Sequence, residues 1–443
     1  MKIYVEGYGC SMNLAETESV LGHAAKNGFE ISAKPEDADF LVINTCAVKE
    51  QTEFRMLSRI KRLGEIADAN GSQLVVFGCL PKVNRKLVES VARNAIQMGP
   101  DLEALSAVLG ISGEQFSPSI EPLRSNPFVS IIPICSGCTN YCTFCGTKLA
   151  RGNIRSYPIH QIRRRIESEL PGIREFWLTG QDTGAYGLDS KSSLPELLAS
   201  LLEIEGDFRI RIGMMNPHHL GRIYHRLVPL FSDTRLYRFI HMPLQAGSDR
   251  ILKLMRRGYT VSRYREMEEM LRRDVPGITI ATDIIVGFPG ETEKEFLETL
   301  SVVKETAPDI TNISRFGVRP GTLAAGMPGR LSGSGKKSRS RRLFPVCRFV
   351  SLQRNKPMLG VRERIYVSEK GVRGGFMGRS SNYKPVIINE DCRGSFVEVE
   401  VTAVTATYLE GRAIQPQFSG QVLINRAHGD KAFSALKVRG MDL

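Results

Sequence analysis

The hydrophobic positions of the first hundred residues come in short continuous runs rather than in strict alternation. Residues 2–8, 39–44 and 73–77 are largely apolar or β-favouring, and segments of helical composition, 15–26 and 49–62, separate them. Continuous apolar strands divided by helices predict a parallel sheet covered on both faces, with its ligand crevice beyond the carboxyl ends of the strands. All three runs end at a cysteine: Gly9-Cys10, Thr45-Cys46 and Gly78-Cys79. A cysteine is often just a small buried apolar residue. Three at one sheet edge, each beside glycine or threonine, favour a shared metal site of soft thiolates suited to zinc or iron–sulfur centres.

A linker holding Ser117-Pro118-Ser119 and Ser125-Asn126-Pro127 comes next. Apolar stretches at 128–134, 176–179, 209–214, 239–242, 278–287 and 310–316 then alternate with helix-length segments. That rhythm predicts an open or closed α/β barrel with function at the strand ends. Residues 331–342 read as a polar, flexible, basic segment. From about residue 362, short β-patterned runs at 364–367, 376–379, 385–388, 394–406 and 411–413 are divided by glycine and charged turns, which suggests a small barrel. The predicted fold class is therefore α/β in three parts: a parallel-sheet domain (1–115), a central partial (β/α) barrel (125–355) and a small carboxyl-terminal β-barrel (360–422), followed by a tail (423–443).

Composition supports two or three globular domains, since 443 residues with 42% hydrophobic content are enough for more than one core. Charge sharpens this picture. The net charge is +13, and residues 331–443, with 20 basic and 9 acidic side chains, hold +11 of it. A localised positive field suits a phosphate backbone, or simply a solubilising surface. The apolar run 74–80 is far short of the roughly 18 residues a membrane span needs, and Glu6 falls too early for a secretory hydrophobic region. A cytoplasmic, reducing location is expected, with the nine cysteines as thiols or metal ligands rather than disulfides.

The densest chemistry is Cys135-Ser136-Gly137-Cys138-Thr139-Asn140-Tyr141-Cys142-Thr143-Phe144-Cys145. A zinc ribbon needs a longer stretch between its two pairs, and the ferredoxin spacing Cys-x2-Cys-x2-Cys is not met. Cys138-x3-Cys142-x2-Cys145 does fit a four-iron, four-sulfur cluster held by three thiolates, with the fourth iron left open for a substrate.

That triplet, following a first barrel strand, resembles the signature of radical S-adenosylmethionine (SAM) enzymes, and Phe144 matches the aromatic position that lies near the adenine in that superfamily. The resemblance extends along nearly the whole chain. Tyr8-Gly9-Cys10-Ser11-Met12-Asn13, Asn44-Thr45-Cys46-Ala47-Val48 and Phe77-Gly78-Cys79 resemble the three amino-terminal cysteine motifs of methylthiotransferases. Leu178-Thr179-Gly180-Gln181-Asp182-Thr183, His241-Met242-Pro243-Leu244-Gln245 and Gly287-Phe288-Pro289-Gly290 resemble their barrel, and Gly378-Arg379-Ser380-Ser381-Asn382-Tyr383-Lys384-Pro385 resembles the start of a TRAM domain, an RNA-binding β-barrel. The segment from Cys142 to Gly152 and the run Asp182-Thr183-Gly184-Ala185-Tyr186-Gly187 are most similar to the archaeal and eukaryotic branch. That branch methylthiolates C2 of N6-threonylcarbamoyladenosine (t6A) at position 37 of tRNA, next to the anticodon. Other branches modify another tRNA adenosine or a ribosomal protein, and a non-catalytic, zinc-containing RNA-binding protein is the reading from a different class.

The resemblance implies two four-iron, four-sulfur clusters. One, on Cys138, Cys142 and Cys145, binds SAM and generates a radical from it; the other, on Cys10, Cys46 and Cys79, carries the sulfur to be inserted. It makes SAM both methyl donor and radical source, and implies the tRNA anticodon stem-loop, a ferredoxin- or flavodoxin-like reductant and a sulfur source as partners. Phe144, Thr179, Gly180, Gln181, Asp182, Arg211 and Gln245 become candidate contacts to SAM or substrate, with Arg211 facing the SAM carboxylate or serving a structural salt bridge. Arg379, Tyr383 and Lys384 become a candidate RNA grip by charge and stacking. His218, His219 and His241 are expected on the surface or in the core rather than on a metal, Cys135 at a strand end, and Cys347 and Cys392 outside either triplet.

Overall fold

The computed structural model describes residues 1–46, 50–111, 121–414 and 437–440, with the backbone alone for 50–52 and 437–440. Ala47, Val48 and the Ser117-Pro118-Ser119 linker lie outside the described residues.

The amino-terminal sheet is built from β1 (Lys2–Gly9), β2 (Glu30–Ile31), β3 (Phe40–Thr45), β4 (Gln73–Gly78) and β5 (Ile96–Gln97), all pairing in parallel. Successive residues of each strand serve opposite faces, as the two-residue repeat requires. Tyr4, Leu41, Ile43, Leu74 and Val76 pack on Met56, Ile60 and Leu63 of the helix Glu50–Asn70, while Ile3, Val5, Val42, Val75 and Phe77 pack on Val20 and Leu21 of the helix Ser11–Lys26 and on Leu105. Burial on both faces accounts for the unbroken apolar runs.

The central unit adds β6 (Val129–Pro133), β7 (Cys135–Ser136), β8 (Arg155–Ser156), β9 (Glu175–Thr179), β10 (Arg209–Ile212), β11 (Phe239–His241), β12 (Thr279–Val286) and β13 (Ile310–Arg315). β6, β9 and β10 form one parallel sheet and β11, β12 and β13 another. Tyr237 N–H donating to the Ile210 carbonyl and Met215 N–H donating to that of His241 join them into an open arc. One face of the arc (Phe176, Leu178, Ile210, Ile212, Ile240, Ile280) packs on the surrounding helices through Leu197, Leu201, Leu220 and Leu271. The other face lines the interior. There Ala15 of the first helix packs on Val129 and Ile131, so the amino-terminal domain lies against the first barrel strand.

The third unit is a closed barrel of β14 (Arg362–Lys370), β15 (Phe376–Arg379), β16 (Pro385–Ile388), β17 (Ser395–Val404) and β18 (Leu409–Ala413), ordered β14-β15-β16-β18-β17 around Ile365, Val386, Val399 and Leu409. It docks beneath the arc, at the amino ends of its strands. Asn382 Nδ2 donates to Gly277 O, Ser368 Oγ to Glu175 Oε2, and Arg364 is bidentate on Asp207 at 3.1 and 2.6 Å. In the expected tail, residues 437–440 form β19, which pairs in parallel with β1; 423–436 and 441–443 lie outside the described residues.

Two expectations are corrected here. Arg379, Tyr383 and Lys384 do not form an exposed RNA grip. Tyr383, at φ 65° and 3% exposed, is inserted into the floor of the arc with its ring centroid 4.9 Å from those of Tyr237 and Phe239. Arg379 lies over the Tyr383 ring, and Lys384 Nζ is buried on Asp309 Oδ1 (2.8 Å) and Asn355 Oδ1 (2.7 Å). Charge and aromaticity here hold two domains together. Residues 331–342 are likewise not a flexible segment: Ser332 caps a helix, Gly333–Asn355, through Gly335 N–H. Lys336 Nζ donates to Phe316 O, Arg339 is buried in an ion pair with Glu291, and Arg342 pairs with Glu293 at 2.6 Å. Acceptors distant in sequence order these basic residues as a helix.

Candidate functional site

Cys10, Cys46 and Cys79 each directly follow the last residue of a strand, and β1, β3 and β4 are neighbours in the sheet, with Gly7 opposite Asn44 and Thr45 opposite Gly78. The three thiols therefore share one sheet edge. The approach is close enough to require glycine: at Gly9, with φ 123°, a Cβ would stand 2.7 Å from Cys46 Cβ and 3.1 Å from its sulfur. A polar frame fixes the edge. Asn13 Nδ2 donates to Thr45 O (2.9 Å), Asn44 Nδ2 returns to Asn13 O (2.9 Å), Thr45 Oγ1 donates to Phe77 O (2.7 Å), and the Cys10 thiol donates to Asn13 Oδ1 at 3.4 Å. Burial pushes the Cys79 thiol up to about 11, and the positive charge of Arg151 opposes that rise.

The second triplet lies on the loop that leaves the first barrel strand. Cys138 N–H donates to Gly152 O, Thr143 N–H to Met255 O and Ala324 N–H to Thr143 O, so the loop is tied to the last turn of the helix Asp249–Met255 and to residue 324. Asn140 turns its backbone N–H and its Nδ2 toward Cys138 Sγ at 3.4 and 3.5 Å, and Arg257 Nη1 donates to Cys142 Sγ at 3.1 Å. N–H groups aimed at sulfur suit thiolates that carry metal. Phe144 sets its edge against Phe288 at 6.4 Å, and Cys135 is fully buried beneath Gly180, where a Cβ would meet its sulfur at 2.6 Å.

The two triplets are joined through packed elements. Ser11 Oγ, next to Cys10, bonds Thr179 Oγ1 at 2.7 Å, at the end of β9. Glu16, on the first helix, forms a buried ion pair with Arg151 at the end of the helix Gly146–Arg151, which begins directly after Cys145. Cys79, Val83 and Ala150 pack together across the same seam. The sheet edge that carries one triplet is thereby packed against the elements that flank the other.

Two candidate contacts are corrected by the geometry. Asp182 is 2% exposed and both its oxygens are occupied: Oδ1 accepts Asn216 N–H, while Oδ2 accepts Asn140 Nδ2 and faces His219 Nδ1 at 2.7 Å. Its role is to pin the cysteine loop, and Gln181 Oε1 does the same through Gly137 N–H at 2.7 Å. Arg211 lies against the floor. Its guanidinium lies 5.3–5.5 Å from the ring centroids of Trp177, Phe239 and Tyr383 and makes no salt bridge among the described residues, so cation–π contact takes the place of the expected ion pair, and its Nε is buried without a partner. Gln245 holds φ 72° between Asp283 O and Ile285 N–H, and its Oε1 is buried without a partner. A non-glycine residue so held, with an orphaned acceptor, marks a place for a ligand's donors.

Sequence reasoning missed Asn140, Arg257, Ser11 and the Glu16 and Arg151 pair, because each acts through a partner far away in the chain. It also left His241 unassigned, yet His241 Nε2 stands 3.0 Å from Asp283 Oδ2, whose Oδ1 accepts Asn312 Nδ2, on the interior face of three adjacent strands. The residues fit iron–sulfur clusters by donor chemistry, since all nine cysteines are free thiols, three of them at one sheet edge and three on the loop after the first barrel strand. Among the described residues, no three acidic, histidine or cysteine side chains are spaced for a single ion. A four-iron cluster asks for a wider triangle, because each thiolate takes a different iron.

Three family models match the chain: the uncharacterized protein family UPF0004 over residues 2–99, the radical SAM superfamily over 132–303 and the TRAM domain over 356–414. The probable threonylcarbamoyladenosine tRNA methylthiotransferase of Archaeoglobus fulgidus is 38% identical over 94% of this chain and 100% of its own length, and that of Pyrococcus horikoshii is 35% identical with the same coverage. The human threonylcarbamoyladenosine tRNA methylthiotransferase is 33% identical over 93% of this chain and 74% of its own. Among solved structures, the radical SAM methyltransferase TsrM from Kitasatospora setae shares the fold at a TM-score of 0.55, with 14% identity over 73% of this chain and 77% of that one.

Proposed function

The chain belongs to the family of threonylcarbamoyladenosine tRNA methylthiotransferases, and from that premise we propose that Cys138, Cys142 and Cys145 hold the SAM-binding cluster while Cys10, Cys46 and Cys79 hold the auxiliary one. The activity is methylthiolation of C2 of t6A at position 37 of tRNA, with SAM and two four-iron, four-sulfur clusters as cofactors. When bound, these cofactors supply the reductive cleavage of SAM and the sulfur that replaces the C2 hydrogen. The seam that ties the elements carrying the two triplets, through Ser11 to Thr179 and through Glu16 to Arg151, is the observation that supports the assignment.

Each part of the chain then has a task. The sheet edge presents Cys10, Cys46 and Cys79 on adjacent strands, framed by Asn13 and Asn44. Asp182, His219 and Gln181 hold the loop of the other triplet in place. Gln245, with its free buried Oε1, and the His241, Asp283 and Asn312 chain offer polar groups to SAM and to the modified adenosine from the interior. Thr179, Gly180 and Phe144 shape the mouth, and the packed seam excludes water from it. The division at 1–115, 125–355 and 360–422 follows these tasks. A ferredoxin- or flavodoxin-like reductant and a separate sulfur source complete the system. No helix among the described residues is long and apolar enough to cross a membrane. The cytoplasm is the proposed site of action because the tRNA substrate of the family is there.

The test is anaerobic reconstitution with SAM, reductant and sulfide, followed by nucleoside mass spectrometry of the tRNA. The methylthio product is expected on t6A-bearing tRNA and not on isopentenyladenosine-bearing tRNA. Product on the second alone moves the chain to another branch, and product on neither removes the assignment.

A further inference from the structure

Arg257 is 7% exposed, yet no carboxylate pairs with it among the described residues. Its Nε donates to Tyr259 Oη at 3.0 Å and its Nη1 to Cys142 Sγ at 3.1 Å. Tyr259 is itself fixed, since its hydroxyl reaches Pro243 O and Leu244 O. The guanidinium also sits on the turn that accepts Thr143 N–H through Met255 O and Thr143 Oγ1 through Leu254 O. It therefore moves with the cysteine loop. Buried charges are almost always paired, and the one anionic partner on offer here is the Cys142 thiolate.

The other triplet is built differently. Arg151, the arginine beside Cys79, is neutralised by Glu16, both side chains being almost wholly buried. A closed ion pair adds no net charge to its surroundings, whereas Arg257 brings a cation without a carboxylate partner into direct contact with a ligand sulfur; the buried Asp182 carboxylate, held by Asn140 and His219, stands behind the same loop. Reduction of an iron–sulfur cluster places one more negative charge on it, and a cation with an N–H aimed at a ligand sulfur stabilises that charge.

We propose that Arg257 raises the reduction potential of the cluster on Cys138, Cys142 and Cys145 above that of the cluster on Cys10, Cys46 and Cys79, so that the incoming electron settles where SAM is cleaved. The step is the transfer of one electron from a low-potential one-electron donor to the first cluster, with no bond made or broken. This inference rests on the ligand assignment given above.

The experiment is a potentiometric titration of the reconstituted full chain with viologen mediators, read by electron paramagnetic resonance. The cluster on Cys138, Cys142 and Cys145 is identified as the one whose spectrum changes on adding SAM. In Arg257→Gln its reduction equilibrium constant falls about tenfold or more, ~59 mV for one electron, while the SAM-insensitive signal keeps its potential and iron content is unchanged. Arg257→Lys, which keeps the charge, recovers most of the shift, an outcome a merely structural arginine does not produce. An unchanged potential in fully loaded Arg257→Gln overturns the proposal. If that variant does not load, Tyr259→Phe is read instead: a smaller fall in the same direction supports the proposal and no fall overturns it. A wild-type chain with no SAM-responsive signal refutes the ligand assignment, and the proposal falls with it.

Discussion

Cys138→Ala is expected to abolish both SAM cleavage and tRNA methylthiolation, whereas Cys46→Ala is expected to abolish methylthiolation and leave SAM cleavage largely intact. On the proposed assignment the two thiols do different work although their elements share one seam. Cys138 is gripped by Asn140 on the loop that Asp182 and Gln181 pin to the barrel, so its loss disturbs the cluster that must hold SAM. Cys46 stands on the sheet edge among Gly9, Met56 and the Asn13 frame, on a different domain from that loop. Measuring 5′-deoxyadenosine and methylthio-nucleoside in parallel separates the two outcomes. Loss of SAM cleavage in both variants would mean that the triplets form a single site.

Glu16→Gln should destabilise the chain more than any surface change. The carboxylate and its Arg151 partner are about 5% and 1% exposed, so removing the anion leaves a guanidinium buried without compensation. Breaking one side of such a pair costs about 3–5 kcal/mol, while replacing both partners by apolar groups of similar volume is often neutral. A clear fall in the thermal midpoint is expected for Glu16→Gln, with much of it recovered in Glu16→Gln combined with Arg151→Met, and with proteolytic cleavage of the single variant concentrated between the first two domains. If the double variant is no better than the sum of the single ones, the two side chains are not coupled across the seam.

Much of this site was legible because parallel strands end together. Cys10, Cys46 and Cys79 are 36 and 33 residues apart in sequence, but one sheet edge holds all three once the apolar runs are read as neighbouring strands. The cysteine loop was legible from spacing alone. What escaped was tertiary. A run of Arg379, Tyr383 and Lys384 looks like a surface grip, and nothing local reveals that Asp309, Asn355, Tyr237 and Phe239 wait to bury it. The basic stretch 331–342, rich in glycine and serine, has weak helix propensity. It is helical because Glu291, Glu293 and the Phe316 carbonyl meet Arg339, Arg342 and Lys336 in turn.

That correction changes the meaning of the uneven charge. Part of the positive excess of residues 331–443 is spent inside the molecule: Lys384 on Asp309 joins the small barrel to the underside of the arc, and Arg339 on Glu291 ties the last helix to the loop beyond the carboxyl end of β12. Other side chains of this region, such as Arg362 and Arg373, remain exposed on the surface.

Two clusters facing one crevice is the claim on which the rest depends, and iron with acid-labile sulfide per reconstituted chain tests it most directly. About eight irons are expected in the wild type. With Cys10, Cys46 and Cys79 all changed to alanine, about four should remain, with a resonance that still responds to SAM. About four irons in the wild type, unaffected by those three substitutions, would contradict it.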